Sequence, residues 1–179
     1  MPEGAHAELA HMASLNTEQH MAHDIVTNHL RALLAGRKPK QLLMLVTGQG
    51  GMGKSTMLNA ITDTFELFES SHLLKKTALS GVTASLIGGI MLHWFAGLPS
   101  QKIPQSDIWP DNSSRMIKNC CAQNLQSLEY LAINELGMCT LDLITLLSQV
   151  AGKVRVDDGA TDSTVPFGGV NIILMGDFY

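Results

Sequence analysis

Gly48, Gly53, Lys54 and Ser55 stand at the spacing G-x-x-x-x-G-K-S, directly after the uncharged and mostly apolar run from Gln41 to Thr47. That pattern is the signature of a loop that wraps phosphate. Gly48, Gly50, Gly51 and Gly53 let the backbone curl, so that successive N–H groups aim at anionic oxygens. A helix opening near Gly53 adds its N-terminal dipole to the same spot. Lys54 supplies a point charge to terminal phosphates, the Ser55 hydroxyl suits Mg²⁺, and Thr56 completes the run. The plain alternative, a glycine-rich strand-to-helix turn without a ligand, fits the complete pattern poorly. These residues imply a nucleoside triphosphate site, in this chain or in its ancestor.

Two further segments could complete such chemistry. Ser127 to Ile133 is an apolar run ending in Asn134-Glu135. Phosphate-loop enzymes use a pair of acidic residues at such a strand end to hold Mg²⁺ through water and to activate the attacking water. Here the first of the pair is Asn134, and Glu135 is left as the candidate general base; the alternative for it is a glutamate at a helix N-terminus. Val170 to Met175 ends in Gly176-Asp177, where a carboxylate could sense a γ-phosphate, although that signal alone says little.

The elements that must position these residues can be read from periodicity. Asn16 resembles an N-cap with Gln19 at the capping-box position, and Ile25, Val26, His29, Leu30, Leu33 and Leu34 continue an apolar helical face that Gly36 and Pro39 end. Met57, Leu58, Ile61, Phe65 and Phe68 recur at helical spacing after the loop. Lys75 to Ser80 reads as a second strand, and Ser127 to Ile133 and Val170 to Met175 as a third and fourth. Leu141 to about Val150 reads as a helix, residues 99–114 as a surface connection and 151–169 as a flexible loop. Strands alternating with helices predict an α/β fold with a doubly wound parallel sheet and its ligand at the carboxyl ends of the strands.

Composition narrows the classes. The chain has 179 residues, 45% hydrophobic and 16% charged, which suits one compact domain with a real core. A net charge of −4 gives no global basic signature, so any nucleic-acid contact must be local. The three cysteines, with Cys120 and Cys121 adjacent and Cys139 apart, form no disulfide framework and point to reduced thiols in a cytosolic or nuclear protein. His6, His11, His20, His23 and His29 lack partners at ligand spacing and read as solvated. Thr77 to Pro99 carries no Asp, Glu, Lys or Arg, enough for a membrane span, but its glycines, hydroxyls and His93 fit a buried strand, loop and helix better. No membrane contact is expected.

Taken in order, these segments resemble the Pif-type (petite-integration-frequency) DNA helicases of superfamily one, including the versions carried by Helitron transposons in fungi. Leu15-Asn16-Thr17-Glu18-Gln19 looks like the family's Q motif, and Gly48 to Thr56 like its first motif. Ser80-Gly81-Val82-Thr83-Ala84-Ser85 with Gly88-Gly89 and Leu92-His93-Trp94-Phe95 is similar to motif Ia. Ile133-Asn134-Glu135-Leu136-Gly137-Met138 looks like I-D-E-x-S-M, and Phe167-Gly168-Gly169-Val170 through Tyr179 like the third motif. The resemblance implies a phosphate-loop NTPase fold of the RecA-like kind over residues 15–179, after a flexible arm at 1–14. It implies ATP and Mg²⁺ as cofactors, with Gln19 on adenine, Lys54, Glu135 and Asp177 as catalytic residues, and Ser55, Asn134 and Glu135 around the metal. It further implies single-stranded DNA as a partner, for which His93, Trp94 and Phe95 are candidates; core packing is the alternative for Trp94 and Phe95.

The implied activity is that of an ATP-dependent DNA helicase of 5′-to-3′ type, acting in repair, recombination or telomere maintenance. The expected location is nuclear, with mitochondria the alternative. Departures from the family pattern are Asn134 for Asp, Gly137 for Ser and Met91 for the common Thr. The chain is expected to be the first half of a helicase core, ending after the third motif and lacking the second motor domain. A catalytically impaired ATP- or DNA-binding remnant of a mobile element is the competing expectation, and an unrelated phosphate-loop kinase a third.

Overall fold

The computed structural model of the protein describes residues 14–97, 122–157, 159 and 164–177. Among these, five strands form one parallel sheet: β1 (Leu43–Thr47), β2 (Leu74–Ala78), β3 (Ile90–Met91), β4 (Tyr130–Asn134) and β5 (Asn171–Gly176). Their spatial order is β1-β5-β4-β2-β3. Helices α1 (Thr17–Leu34), α2 (Lys54–Leu67), α3 (Gly81–Leu86), α4 (Leu92–Phe95) and α5 (Leu141–Asp157) flank it. The α/β, doubly wound parallel arrangement expected from the sequence is what is found. The fifth strand, β3, was not anticipated, because its two residues are too few to leave a period-two pattern.

The register sets the site. Thr47 lies opposite Gly176, and Ala78 opposite Asn134, so the carboxyl ends of β1, β5, β4 and β2 finish side by side. Alternation along the strands then feeds two cores. Tyr130 and Ala132 face one, with Leu30, Met57, Leu58, Ile61 and Phe65 from α1 and α2. Leu131 and Ile133 face the other, with Leu92, Phe95, Leu147 and Val150 from α4 and α5. Each fully buried Leu, Ile or Phe among them contributes about 1.5–3 kcal/mol of transfer free energy. Tyr130 anchors the first core: its ring meets that of Phe65 edge-on at 5.0 Å, and its hydroxyl lies 2.6 Å from His29 Nδ1. β1 is an edge strand, and Leu43 and Leu45 on its outer face are 54% and 51% exposed.

Several local expectations need correction. The buried stripe of α1 is His23, Val26, Thr27 and Leu30, whereas Ile25 and Leu34 face solvent. His23 is accordingly buried rather than solvated, and His29 is half-buried with both ring nitrogens engaged. His23 Nε2 lies 2.8 Å from Thr64 Oγ1 on α2, and His29 Nε2 lies 2.8 Å from the Lys40 carbonyl. A carbonyl only accepts, so Nε2 of His29 donates there and Nδ1 accepts the Tyr130 hydroxyl. Residues 151–157 continue α5 instead of opening a loop. Arg155 explains the extension: it is buried, and its Nη1 donates to the carbonyls of Leu125, Gln126 and Leu128, the last at 2.6 Å, at the end of the helical turn 122–126. Pro166–Gly169 is a tight turn, held by Gln41 Nε2 donating to the Pro166 and Val170 carbonyls.

Residues 1–13 of the expected arm, the 99–114 connection, Cys120 and Cys121 lie outside the described residues. Among the described residues no helix is long and apolar enough to cross a membrane. The uncharged stretch from Thr77 to Gly97 folds instead as the end of β2, then α3, β3 and α4.

Candidate functional site

The phosphate-loop sequence forms the turn between β1 and α2. Gly53 precedes α2 in the left-handed region at φ 79°, a conformation that glycine adopts without a Cβ penalty. α2 then begins at Lys54, so Ser55 and Thr56 occupy its first turn, where free N–H groups and the dipole favour an anion. Gly48 N donates to the Gly176 carbonyl at 3.3 Å and thereby ties the loop to the end of β5. Lys54 Nζ donates to the carbonyls of Gly48 and, at 3.0 Å, Gln49, so its ammonium lies across the loop.

Gln19 reaches the same loop from α1. Its Oε1 accepts from Asn16 N at 2.9 Å, the reciprocal half of a capping box, and its Nε2 donates to the Met52 carbonyl at 2.7 Å. Both ends of the amide are engaged, leaving one N–H and one Oε1 lone pair for any further contact.

Glu135 follows β4 with φ 65° and ψ 45°, a left-handed conformation for a non-glycine residue. Such strain costs about 1–3 kcal/mol and gathers at functional sites. Its carboxylate is half-buried and takes a hydrogen bond from Thr83 Oγ1 at 2.5 Å, with Ser80 Oγ 3.4 Å away. Asn134 is buried at the strand end, 8% exposed. The Glu135 turn and the end of β5 meet backbone to backbone, because Gly176 leaves no room for a Cβ beside Leu136 N.

Gly50, Gly51, Gly53, Lys54 and Ser55 line one face of a cavity of about 560 Å³, and Asn134, Glu135 and Asp177 line another. The fold thus gathers the loop and both strand ends, which lie far apart in sequence. The cavity offers backbone N–H groups, one ammonium, a hydroxyl and two carboxylates. The Ser55 hydroxyl, the Asn134 amide oxygen and the Glu135 and Asp177 carboxylates are oxygen ligands of the kind that suit a hard cation such as Mg²⁺, which takes few protein ligands and keeps its waters and phosphates.

The aromatic candidates separate. Trp94 is 66% exposed and His93 half-buried, but Phe95 is fully buried in the second core and is not available to stack on a base. Successive positions on a helical turn are about 100° apart, which lets Phe95 face the core while Trp94 faces solvent. The engagement of Glu135 by Ser80 and Thr83 was not anticipated. These residues are 55 and 52 positions apart from it, and no local pattern signals the pairing.

Comparison with known proteins places this geometry. The profile of a family described as PIF1-like helicase matches residues 14–179. The human ATP-dependent DNA helicase PIF1 is 32% identical over 149 residues, covering 83% of this chain and 20% of that protein. The solved Pif1 helicase of Candida albicans superposes with a TM-score of 0.65 at 26% identity, covering 92% of this chain and 33% of that one. Bacteroides Pif1 in complex with ADP-AlF3 and ssDNA gives 0.62 at 26% identity, over 85% of this chain and 31% of that one. The chain spans about a fifth of the length of the relatives it matches and about a third of the solved chains.

Proposed function

Because the chain belongs to the PIF1-like helicase family, we propose that it is the first, ATP-binding motor domain of an ATP-dependent DNA helicase that acts on single-stranded DNA. The observation that carries this reading is the convergence of Lys54 and Ser55 with Asn134, Glu135 and Asp177 around one cavity at the carboxyl ends of β1, β4 and β5. In this reading the N–H groups of Gly50, Gly51 and Gly53 cradle the phosphates, while Gly48, whose N–H is held by the Gly176 carbonyl, fixes the start of the loop instead of binding phosphate as the sequence suggested. Lys54 neutralises the terminal pair, and Thr56 adds a hydroxyl beside them. Gln19 uses its remaining donor and acceptor on adenine. Ser55, Asn134 and Glu135 hold Mg²⁺, which when bound supplies charge neutralisation on the phosphate oxygens.

Glu135 takes a proton from the water whose oxygen attacks the terminal phosphorus, the bond to the ADP oxygen breaks, and inorganic phosphate departs. Asp177 senses the phosphate being lost. The exposed face of Trp94, with His93, is the stacking platform for a base. A 5′-to-3′ movement in repair, recombination or telomere maintenance, in the nucleus or the mitochondrion, would belong to the whole helicase, closed by a second motor domain. Asn134, which supplies no charge where the family pattern has Asp, favours a second reading: a module that binds ATP and DNA but hydrolyses slowly.

Titration of the chain with a fluorescent ATP analogue tests the first step. Lys54→Ala should weaken binding at least about tenfold, or 1.4 kcal/mol, because a charge-assisted contact to phosphate is lost. Equal affinity for both proteins would remove the phosphate-loop reading.

A further inference from the structure

The Glu135 side chain leaves a backbone fixed in the left-handed region, yet several rotatable bonds still separate that backbone from the carboxylate. A general base works only while its oxygen stays within reach of the water it deprotonates. Thr83 pins the far end of the side chain. The register sets Ala78 opposite Asn134, so the turn from β2 into α3 lies beside the turn that follows β4. Thr83, half-buried on the first turn of α3, donates from Oγ1 to Glu135 Oε1 at 2.5 Å.

The protons at this junction can be assigned in turn. Thr83 Oγ1 has a single proton, and the short contact to Oε1 takes it. Thr83 Oγ1 therefore accepts from Ser80 Oγ, 2.9 Å away. Ser80 Oγ in turn accepts from Thr83 N at 3.1 Å, which caps the N-terminal turn of α3. With its one proton engaged by Thr83, Ser80 has none left for Glu135 Oε2 at 3.4 Å. Thr83 thus acts twice. It grips Oε1, and it occupies the Ser80 hydroxyl that would otherwise turn to Oε2. The two carboxylate oxygens become unequal: Oε1 belongs to α3, and Oε2 is left for the cavity that Glu135 shares with Lys54, Ser55 and Asp177.

We propose that Thr83, itself oriented by Ser80, is a positioning residue for hydrolysis and makes Oε2 the basic atom of Glu135. This deepens the ATP-hydrolysing reading above and rests on it. Oε2 receives the proton that water gives up, while the water oxygen bonds to the terminal phosphorus and the bond to the ADP oxygen breaks. A carboxylate free to turn spends part of its time with neither oxygen aimed at the water, which lowers kcat and leaves affinity alone. Nucleotide affinity is carried by the loop and Lys54 on another face of the cavity, so it is independent of Thr83.

Steady-state ATP turnover, with affinity for the fluorescent ATP analogue measured alongside, tests this in the wild type, Thr83→Val, Thr83→Ser and Glu135→Gln. Thr83→Val keeps the side-chain shape and the backbone N–H that Ser80 caps. It removes the grip on Oε1 and frees the Ser80 proton for Oε2. It should lower kcat at least about fivefold, with KM for ATP and analogue affinity unchanged. Thr83→Ser restores the hydroxyl and should return kcat to within about twofold of the wild type. Where the wild type exceeds Glu135→Gln, a Thr83→Val kcat equal to or above the wild type overturns the inference and leaves the function standing. So does a fall in kcat that Thr83→Ser does not restore, or one matched by a loss of analogue affinity, since either marks a structural role. If the wild type turns over no faster than Glu135→Gln, the hydrolysis reading fails, and the inference with it.

Discussion

A Cβ on Gly137 would stand 2.5 Å from the backbone oxygen of Asp177. The turn after β4 and the exit of β5 are therefore packed at a distance that only glycine allows. Asp177 Oδ1 would lie 3.4 Å from the same Cβ.

Gly137→Ser should accordingly push the two strand ends apart. An overpacked contact against backbone costs about 1–3 kcal/mol, since neither partner is a flexible side-chain tip. Urea unfolding should show a midpoint shift with an unchanged m-value, and the fluorescent ATP analogue should still bind through the loop. An unshifted midpoint would mean that the turn relaxes freely.

Asn134→Asp restores the charge that the family pattern places at the end of β4. Metal placement governs neutralisation in the transition state more than it governs nucleotide affinity. Phosphate release should rise about tenfold, equivalent to 1.4 kcal/mol in the barrier, with little change in ATP affinity. A rate unchanged by Asn134→Asp but abolished by Glu135→Gln would show that Asn is tolerated, and the slow-module reading would lose its main support.

Burial raises the Cys139 thiol to about 11, from 9.0 in an exposed cysteine. A thiol raised in the folded state stabilises the fold fully below pH 9.0, and that contribution is lost as pH rises through about 11. In a background with Cys120 and Cys121 replaced by Ser, iodoacetamide should label folded Cys139 much more slowly at pH 8 than the urea-unfolded chain. Equal rates would contradict a half-buried thiol held in its protonated form.

Tyr130→Phe removes the hydroxyl that His29 Nδ1 accepts while keeping the ring contact with Phe65. The loss of that buried hydrogen bond should cost about 1–2 kcal/mol at neutral pH, read by thermal or urea unfolding. Burial also holds the Tyr130 hydroxyl well above its usual range, with the Glu129 charge adding to it. Below pH 10.0 its protonated form is stabilising in full; above that the unfolded state ionises first, so the wild type should lose this part of its advantage over Phe.

What could be read from sequence was whatever is local. The spacing from Gly48 to Ser55, the Asn16–Gln19 box and the apolar period of α2 each lie within a few turns of chain, and each forms as expected. The side of a helix that meets the sheet is decided elsewhere. His23 displaced Ile25 from the buried stripe of α1 because Thr64 on α2 offers it a partner. Phe95 and Trp94 look alike in sequence, and only the position of α4 over β4 and α5 sends one inward. Residues 151–157 lack a strong period, yet Arg155 fixes them as helix by reaching three carbonyls near residue 126. The site's own tie between Glu135 and Thr83 depends on β2 lying next to β4, a fact of topology that no spacing within either segment contains.

The outer edge of β1 has a consequence for how the protein behaves at high concentration. Among the described residues β1 hydrogen-bonds to β5 along one side alone, and Leu43 and Leu45 leave its surface apolar. No lysine, proline or bulge interrupts Leu43–Thr47. An uninterrupted, uncharged edge is a template for strand addition, and a second copy is the nearest source of a strand. Self-association by sheet extension would seal the very strand that leads into Gly48, so crowding of the chain would be felt at the phosphate loop as added stiffness.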